Sequence, residues 1–187
     1  LNAFQRTSDY DSFIAFEFEE RQRRSQKEDF SQHTLHYSLK NAVELRYGEN
    51  SHQKAYFYSN NSPMASYLKS THGKELSYNN YLDIDSAYRV VRELHDRSFN
   101  KNYSIVSIIK HNNPCGLSMQ TSNLKAITSA WAGDPMSSFG SIVCFSTAVD
   151  LESANFLSER FVEAVIAPSF TKEAKEKESY IRRMHFT

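Results

Sequence analysis

Apolar residues change their spacing along this chain, and the changes predict alternating strands and helices. Tyr103-Ser104-Ile105-Val106-Ser107-Ile108-Ile109 is a dense apolar run, short enough for one buried strand. Ser141-Ile142-Val143-Cys144-Phe145 reads the same way, and Val165-Ile166-Ala167 is a short strand that stops at Pro168. Leu35, Tyr37 and Leu39 alternate with polar residues, as in a half-buried strand, and Lys54 to Tyr58 suggests a short aromatic one. Helical spacing recurs between these runs. Residues 1–24 carry Phe4, Tyr10, Phe13, Ile14, Phe16 and Phe18, with Asp9 or Asp11 able to cap a second helix start. Asp83 or Asp85 would cap a helix through about His95, with Ala87, Tyr88, Val91 and Leu94 on one face. Asn123 opens a helix over Leu124 to Trp131, and residues 151–162 form another with Leu151, Ala154, Leu157 and Phe161 inward. From Thr171 to Arg183 the charges predict a solvent-exposed helix with little apolar face. Strands alternating with helices predict an α/β layered fold with some parallel strands.

Polar segments separate the elements. Residues 20–33 read as a linker, and Arg21, Arg23, Arg24 and Lys27 are interleaved with acids, as on a solvated face. Four further polar loops, 46–53, 73–80, 110–116 and 133–140, adjoin regular elements. They hold Arg46, His52, Lys74, Lys110, His111 and Asp134, a set suited to an anionic substrate and proton transfer. For each of these residues an ordinary structural or surface role stays open.

The sharpest candidate is Lys110-His111-Asn112-Asn113-Pro114-Cys115-Gly116, at the carboxyl end of the first buried strand. Ligands of open α/β sheets bind outside such ends. Imidazole moves protons near neutral pH, and an ammonium can stabilise a developing anion. Pro114 restricts Asn113, and Gly116 permits a sharp turn, so a stiff corner is expected there. A zinc deaminase site needs His-x-Glu and Pro-Cys-x-x-Cys. Pro114-Cys115 has no second cysteine after it and His111 no glutamate, so no catalytic zinc is expected. Cys115 could pair with His111 as a nucleophile, but adjacent side chains do not naturally aim at each other.

Composition narrows the classes. The 187 residues carry a net charge of zero, which argues against a broad grip on nucleic acid or an acidic membrane. Cys115 and Cys144 make no disulfide framework, and a reducing, cytoplasmic setting is expected. No apolar run reaches the roughly 18 residues of a membrane span, and no signal peptide is evident. Leu1 stands where Met would, and Leu1-Asn2-Ala3-Phe4 reads as the inside of a helix, so a piece of a longer protein is expected.

Four motifs in order resemble the AICAR transformylase/IMP cyclohydrolase family. They are Leu45-Arg46-Tyr47-Gly48-Glu49-Asn50-Ser51-His52-Gln53 (Ser51 replacing a usual proline), residues 73–80, Lys110 to Gly116, and Asp134 to Gly140. Residues 161–168 also fit, while Ser141 stands where Gly or Asp is usual. The resemblance implies transfer of a formyl group from the cosubstrate 10-formyltetrahydrofolate to the 5-amino group of the AICAR nucleotide, with ring closure to IMP elsewhere in the parent. It implies Lys110 and His111 as catalytic and Arg46, Tyr47, Gly140 and Glu163 as substrate-binding. His52, Asn113 and Asp134 would support them. It also implies a cytidine-deaminase-like layered fold without zinc and a homodimer in the parent. Residues 1–33 would be the end of the cyclohydrolase domain and a linker, and 34–187 the N-terminal half of the transformylase domain. With half a domain, strands 103–109 and 141–145 would be expected to leave apolar surface open. An inactive remnant that only binds nucleotide or dimerises is the alternative.

Overall fold

A computed structural model describes residues 1–26, 39, 42–58, 69–72, 75–98, 102–177 and 182–185. It divides into two units, residues 1–40 and 41–187. The first unit is described as one helix, α1 (Asn2–Gln26). α1 runs unbroken through Asp9 and Asp11, so neither starts a second helix. It also takes in residues 20–26, predicted as linker. Glu, Gln and Arg are strong helix formers, and Arg24 faces Glu20 one turn back at 3.9 Å, so polarity here marks a solvated helix. Residues 27–33 and most of the strand predicted around Leu35 lie outside the described residues.

The second unit contains a small ribbon and a six-stranded mixed sheet. β1 (Ala42–Glu44) pairs antiparallel with β2 (Tyr56–Tyr58). The large sheet is built from β3 (Lys69–His72), β4 (Ser104–Lys110), β5 (Asn113–Gln120), β6 (Ser141–Phe145), β7 (Val162–Ala167) and β8 (Arg182–His185). Its order is β3-β8-β7-β6-β4-β5. β6, β7 and β8 run parallel, while β4 is antiparallel to both β5 and β6. The helices are α2 (Tyr78–Arg97), α3 (Asn123–Trp131), α4 (Leu151–Ser158) and α5 (Lys172–Lys177).

Alternation along the strands divides the core between two faces. Ile105, Ile109, Ile142, Cys144, Ala164 and Ile166 pack with Ile84, Ala87 and Val91 of α2. Val106, Ile108, Val143, Phe145, Val165 and Ala167 pack with α3, α4 and α5 through Ala126, Ile127, Ala130, Ala154, Leu157 and Ala174. β4 and β6 are therefore covered on both sides, and the open apolar surface expected along them is not found.

Several element ends differ from prediction for local reasons. α2 begins at Tyr78 because Ser77 and Asn80 cap it reciprocally: Asn80 N–H donates to Ser77 Oγ at 3.3 Å and Ser77 N–H to Asn80 Oδ1 at 3.0 Å. Asp83 and Asp85 thus lie inside the helix rather than capping it, and the 73–80 loop is confined, among described residues, to 75–77. α4 is capped by Asp150 and ends at Ser158, which leaves Phe161 exposed and lets β7 start at Val162. Leu151 is exposed as well, not inward. Among the described residues, the charged tail is helical over α5. Its last residues belong to β8, which joins the sheet beside β7 despite two arginines. β5, with a proline and a glycine, carries no strong strand pattern, yet it forms an edge strand, where proline is tolerated.

Candidate active site

The sheet's strand directions gather the polar segments at one end. β6 is antiparallel to β4 and β7 parallel to β6, so the carboxyl end of β4 lies beside the starts of β6 and β7. Lys110 ends β4. Its Nζ donates to the carbonyl of Phe139 at 2.7 Å, which ties it to the 133–140 loop. Gly140 follows with φ +73°, a conformation glycine takes without strain. Its N–H donates to the Phe161 carbonyl at 2.8 Å, and the Phe139 and Phe161 rings pack at 5.2 Å. These contacts dock the loop on the start of β7, where Glu163 is half-buried. Asp134 braces the loop from within, accepting the Ser137 N–H at 2.9 Å. Hydrogen bonds from Ser137 hold its carboxyl below the ordinary aspartate range, helped by the charge of Lys110.

The corner after Lys110 is a two-residue turn. The turn predicted near Gly116 lies instead at His111 and Asn112, both left-handed, with φ 51° and 60°. This is the geometry of a tight hairpin turn joining β4 and β5. Asp83 of α2 holds it from outside the hairpin. His111 N–H donates to Asp83 Oδ2 at 3.0 Å and Asn112 N–H to Oδ1 at 2.7 Å. Asn113 Nδ2 donates back to the His111 carbonyl at 2.9 Å. The His111 side chain is exposed. Gly116 sits inside β5, where it permits contact rather than a turn: a Cβ there would lie 1.9 Å from the Ala130 carbonyl oxygen.

The 45–53 segment is fastened to the start of α2. Arg46 N–H donates to the Leu76 carbonyl at 3.1 Å, Tyr78 N–H to the Tyr47 carbonyl at 3.0 Å, and Asn79 Nδ2 to the Glu49 carbonyl at 2.9 Å. A cleft of about 420 Å³ opens between this segment, α2 and the hairpin turn, lined by Glu49, Asn50, Asn79, Leu82, Asp83, His111 and Asn112. The Arg46 guanidinium lies 4.6 Å from the centre of the Tyr47 ring and donates to the Tyr47 hydroxyl at 2.8 Å.

His111 alone of the predicted site residues lines that cleft. Lys110, Asp134 and Gly140 meet through the 133–140 loop, Glu163 lies near the start of β7, Arg46 and Tyr47 sit at the head of the 45–53 segment, and Asn113 starts β5. His52 is exposed in the turn over 51–53 and does not line the cleft, while Lys74 lies outside the described residues. Cys115 is half-buried. Burial pushes its thiol up, and the charge of Asp134 adds to the shift, which disfavours the thiolate a nucleophile needs. Asp83, Asn79 and Asn112 were not anticipated. A buried acid inside an amphipathic helix is the signal that could have singled out Asp83.

Chemically, the arrangement offers an exposed imidazole on a tightly held turn. The neighbouring residue offers an ammonium fixed to the Phe139 backbone carbonyl.

Comparison with known proteins follows the same segments. Residues 1–180 match the family model for the AICARFT/IMPCHase bienzyme. The bifunctional purine biosynthesis protein PurH of Polynucleobacter asymbioticus is 45% identical over 146 residues, covering 76% of this chain and 27% of that protein. PurH of Aquifex aeolicus is 45% identical over 138 residues, 73% of this chain and 26% of the relative. PurH of Bacillus cereus is 40% identical over 178 residues, 92% of this chain and 32% of the relative. The chain thus spans between a quarter and a third of the length of these relatives.

Proposed function

Because this chain belongs to the AICARFT/IMPCHase bienzyme family, we propose that it carries part of the site that transfers a formyl group from 10-formyltetrahydrofolate to the 5-amino group of AICAR. The observation that supports this best is the placement of His111. Its imidazole stands on a held turn at the cleft, one residue from a Lys110 ammonium fixed at the strand end.

The chemistry asks for these two groups. The aromatic amine of AICAR is a weak nucleophile. Its nitrogen attacks the formyl carbon, the carbonyl electrons move to oxygen, and a tetrahedral oxyanion forms. Collapse re-forms the carbonyl and breaks the bond to the folate nitrogen, which leaves as an amine once protonated. A base must take the proton from the attacking nitrogen, and a cation or donor must meet the oxyanion and leaving nitrogen. In this reading His111 moves the proton and Lys110 supplies the electrostatic stabilisation. Arg46 and Tyr47 hold the nucleotide, with Gly140 and Glu163 lining its site. Asn113, Asp134 and His52 support the loops.

The wider reading follows the family. Residues 1–33 end a cyclohydrolase domain and link it onward, a division supported by the separate helical unit. Residues 34–187 form the first cytidine-deaminase-like layer of the transformylase, without a catalytic metal. The enzyme is cytoplasmic, and the parent is a homodimer that also closes the ring to IMP. The test is formyl transfer by a polypeptide of the relatives' full length carrying these residues. Consumption of AICAR is expected only when 10-formyltetrahydrofolate is present, and no transfer above a protein-free control would overturn the proposal.

A further inference from the structure

We propose that Asp83 is a positioning residue: its carboxylate clamps the His111–Asn112 turn and so sets where the His111 imidazole stands in the cleft. The proposal rests on the reading of His111 as the proton-transfer group, but the clamp itself can be tested apart from that role.

Three observations converge on Asp83. First, it is 7% exposed although it belongs to a solvent-facing helix with polar neighbours. A buried carboxylate must be satisfied, and this one receives two N–H donors from consecutive residues, one on each oxygen. Second, those residues are, among the described residues, the two non-glycine positions with a left-handed backbone. Tight hairpin turns of this kind favour Asn-Gly, and a positive φ is uncommon at any non-glycine residue, even at histidine or asparagine. Such a conformation persists where its surroundings over-determine it. Third, the clamp is anchored. Ile84, next to Asp83, is fully buried, and with Ala87 and Val91 it packs α2 against β4, β6 and β7. The carboxylate is thus fixed relative to the strand that carries Lys110.

The consequence is directional. Without Asp83 the two N–H groups lose their acceptor, and the turn is free to relax toward ordinary backbone angles. The imidazole would then swing with its Cα. A displacement on the order of 1 Å in a catalytic group costs about 10²-fold in rate. Asn79 and Leu82 of the same helix line the cleft too, so α2 serves as both wall and clamp.

Two measurements test this with D83N, which keeps the shape and removes the charge. Amide hydrogen exchange on the 187-residue chain is the first. The His111 and Asn112 amides are expected to exchange about 10- to 100-fold faster in D83N, while those of Ile105 to Ile109 stay protected. Unchanged exchange at His111 and Asn112, or equal loss of protection throughout β4, would overturn the clamp. D83N is also made with N112G, because glycine takes a left-handed φ freely and guards against a variant that does not fold. There the His111 amide should still exchange faster, and an unchanged rate would count against the proposal. The second measurement is steady-state formyl transfer in the full-length polypeptide. D83N should lower kcat about 10- to 100-fold with KM for AICAR within about threefold. Normal kcat in D83N beside a collapsed kcat in H111A would overturn the positioning role. Normal kcat in H111A would instead refute the proton-transfer reading and with it the positioning of that group, leaving the exchange result to judge the clamp.

Discussion

Adding one methyl group at Gly116 should damage this fold more than its position in an edge strand suggests. An ideal Cβ there would meet the Ala130 carbonyl oxygen at 1.9 Å, its carbon at 2.6 Å and its Cα at 3.2 Å. All three atoms are backbone of the last turn of α3, and that carbonyl accepts the N–H of Gly133. No side-chain rotation can relieve the overlap. Either β5 must peel from β4 or the end of α3 must retreat, uncovering Ala130 and Ile127. Overpacking costs about 1–3 kcal/mol, and a clash with backbone belongs at the upper end. Reduced freedom of the unfolded chain returns roughly 0.5–1 kcal/mol. The net is about 2 kcal/mol, or roughly 4–8 °C in Tm for a chain of this size. Gly133 is the control. A Cβ there would approach the Cys115 and Ala130 carbonyl oxygens at 3.1 and 3.2 Å, which shifts of a few tenths of an ångström relieve. Thermal melts followed by circular dichroism should place G116A well below both wild type and G133A. A G116A melt within about 1 °C of wild type would refute the packing of α3 against β5.

Two further outcomes follow from the ionisable groups. Cys144 is fully buried and its thiol is pushed well above the ordinary range by that burial, while Cys115 is half-buried with a smaller upward shift. Alkylation of folded protein followed by mass spectrometry should therefore label Cys115 slowly and Cys144 only after denaturation, and rapid labelling of Cys144 would contradict the sheet's burial. Asp134 has a lowered folded pKa, so its contribution to stability is present above the unfolded value of about 3.9 and fades as pH falls through the folded value. The Tm gap between wild type and D134A should be open at neutral pH and narrow progressively as the solution is acidified past the ordinary aspartate range, and a gap that widens in acid would show that the Ser137 bonds do not hold the carboxylate.

What the sequence discloses here is what apolar runs and motif order can carry. β4 and β6 stand out because strands buried on both faces need uninterrupted apolar residues. The four polar loops stand out because they adjoin regular elements, and their described residues are tied by named hydrogen bonds to α2, to the hairpin turn and to the start of β7. β5 and β8 are obscure for the opposite reason. One is an edge strand with proline and glycine, the other a strand of charged residues, and their pairing is decided by neighbours rather than by their own composition. The start of α2 is displaced because asparagine replaces the usual glutamate in its capping box, so Asp83 and Asp85 look like the better caps. That substitution also conceals Asp83 as the partner of a turn 28 residues further along the chain. The turn itself is hidden because His-Asn lacks the glycine that usually marks a two-residue hairpin turn.

The central claim is that His111 moves the proton while Arg46 only binds the nucleotide. Steady-state kinetics of H111A and R46A in the full-length polypeptide, with folding checked by circular dichroism, separates the two roles. H111A should lower kcat by about 10²–10⁴-fold with little change in KM for AICAR. R46A should raise KM by the equivalent of about 1.5–3 kcal/mol with kcat nearly intact, since a nucleotide anchor is engaged equally in ground and transition states. A folded H111A enzyme with near-normal kcat would remove His111 from the chemistry and contradict the account.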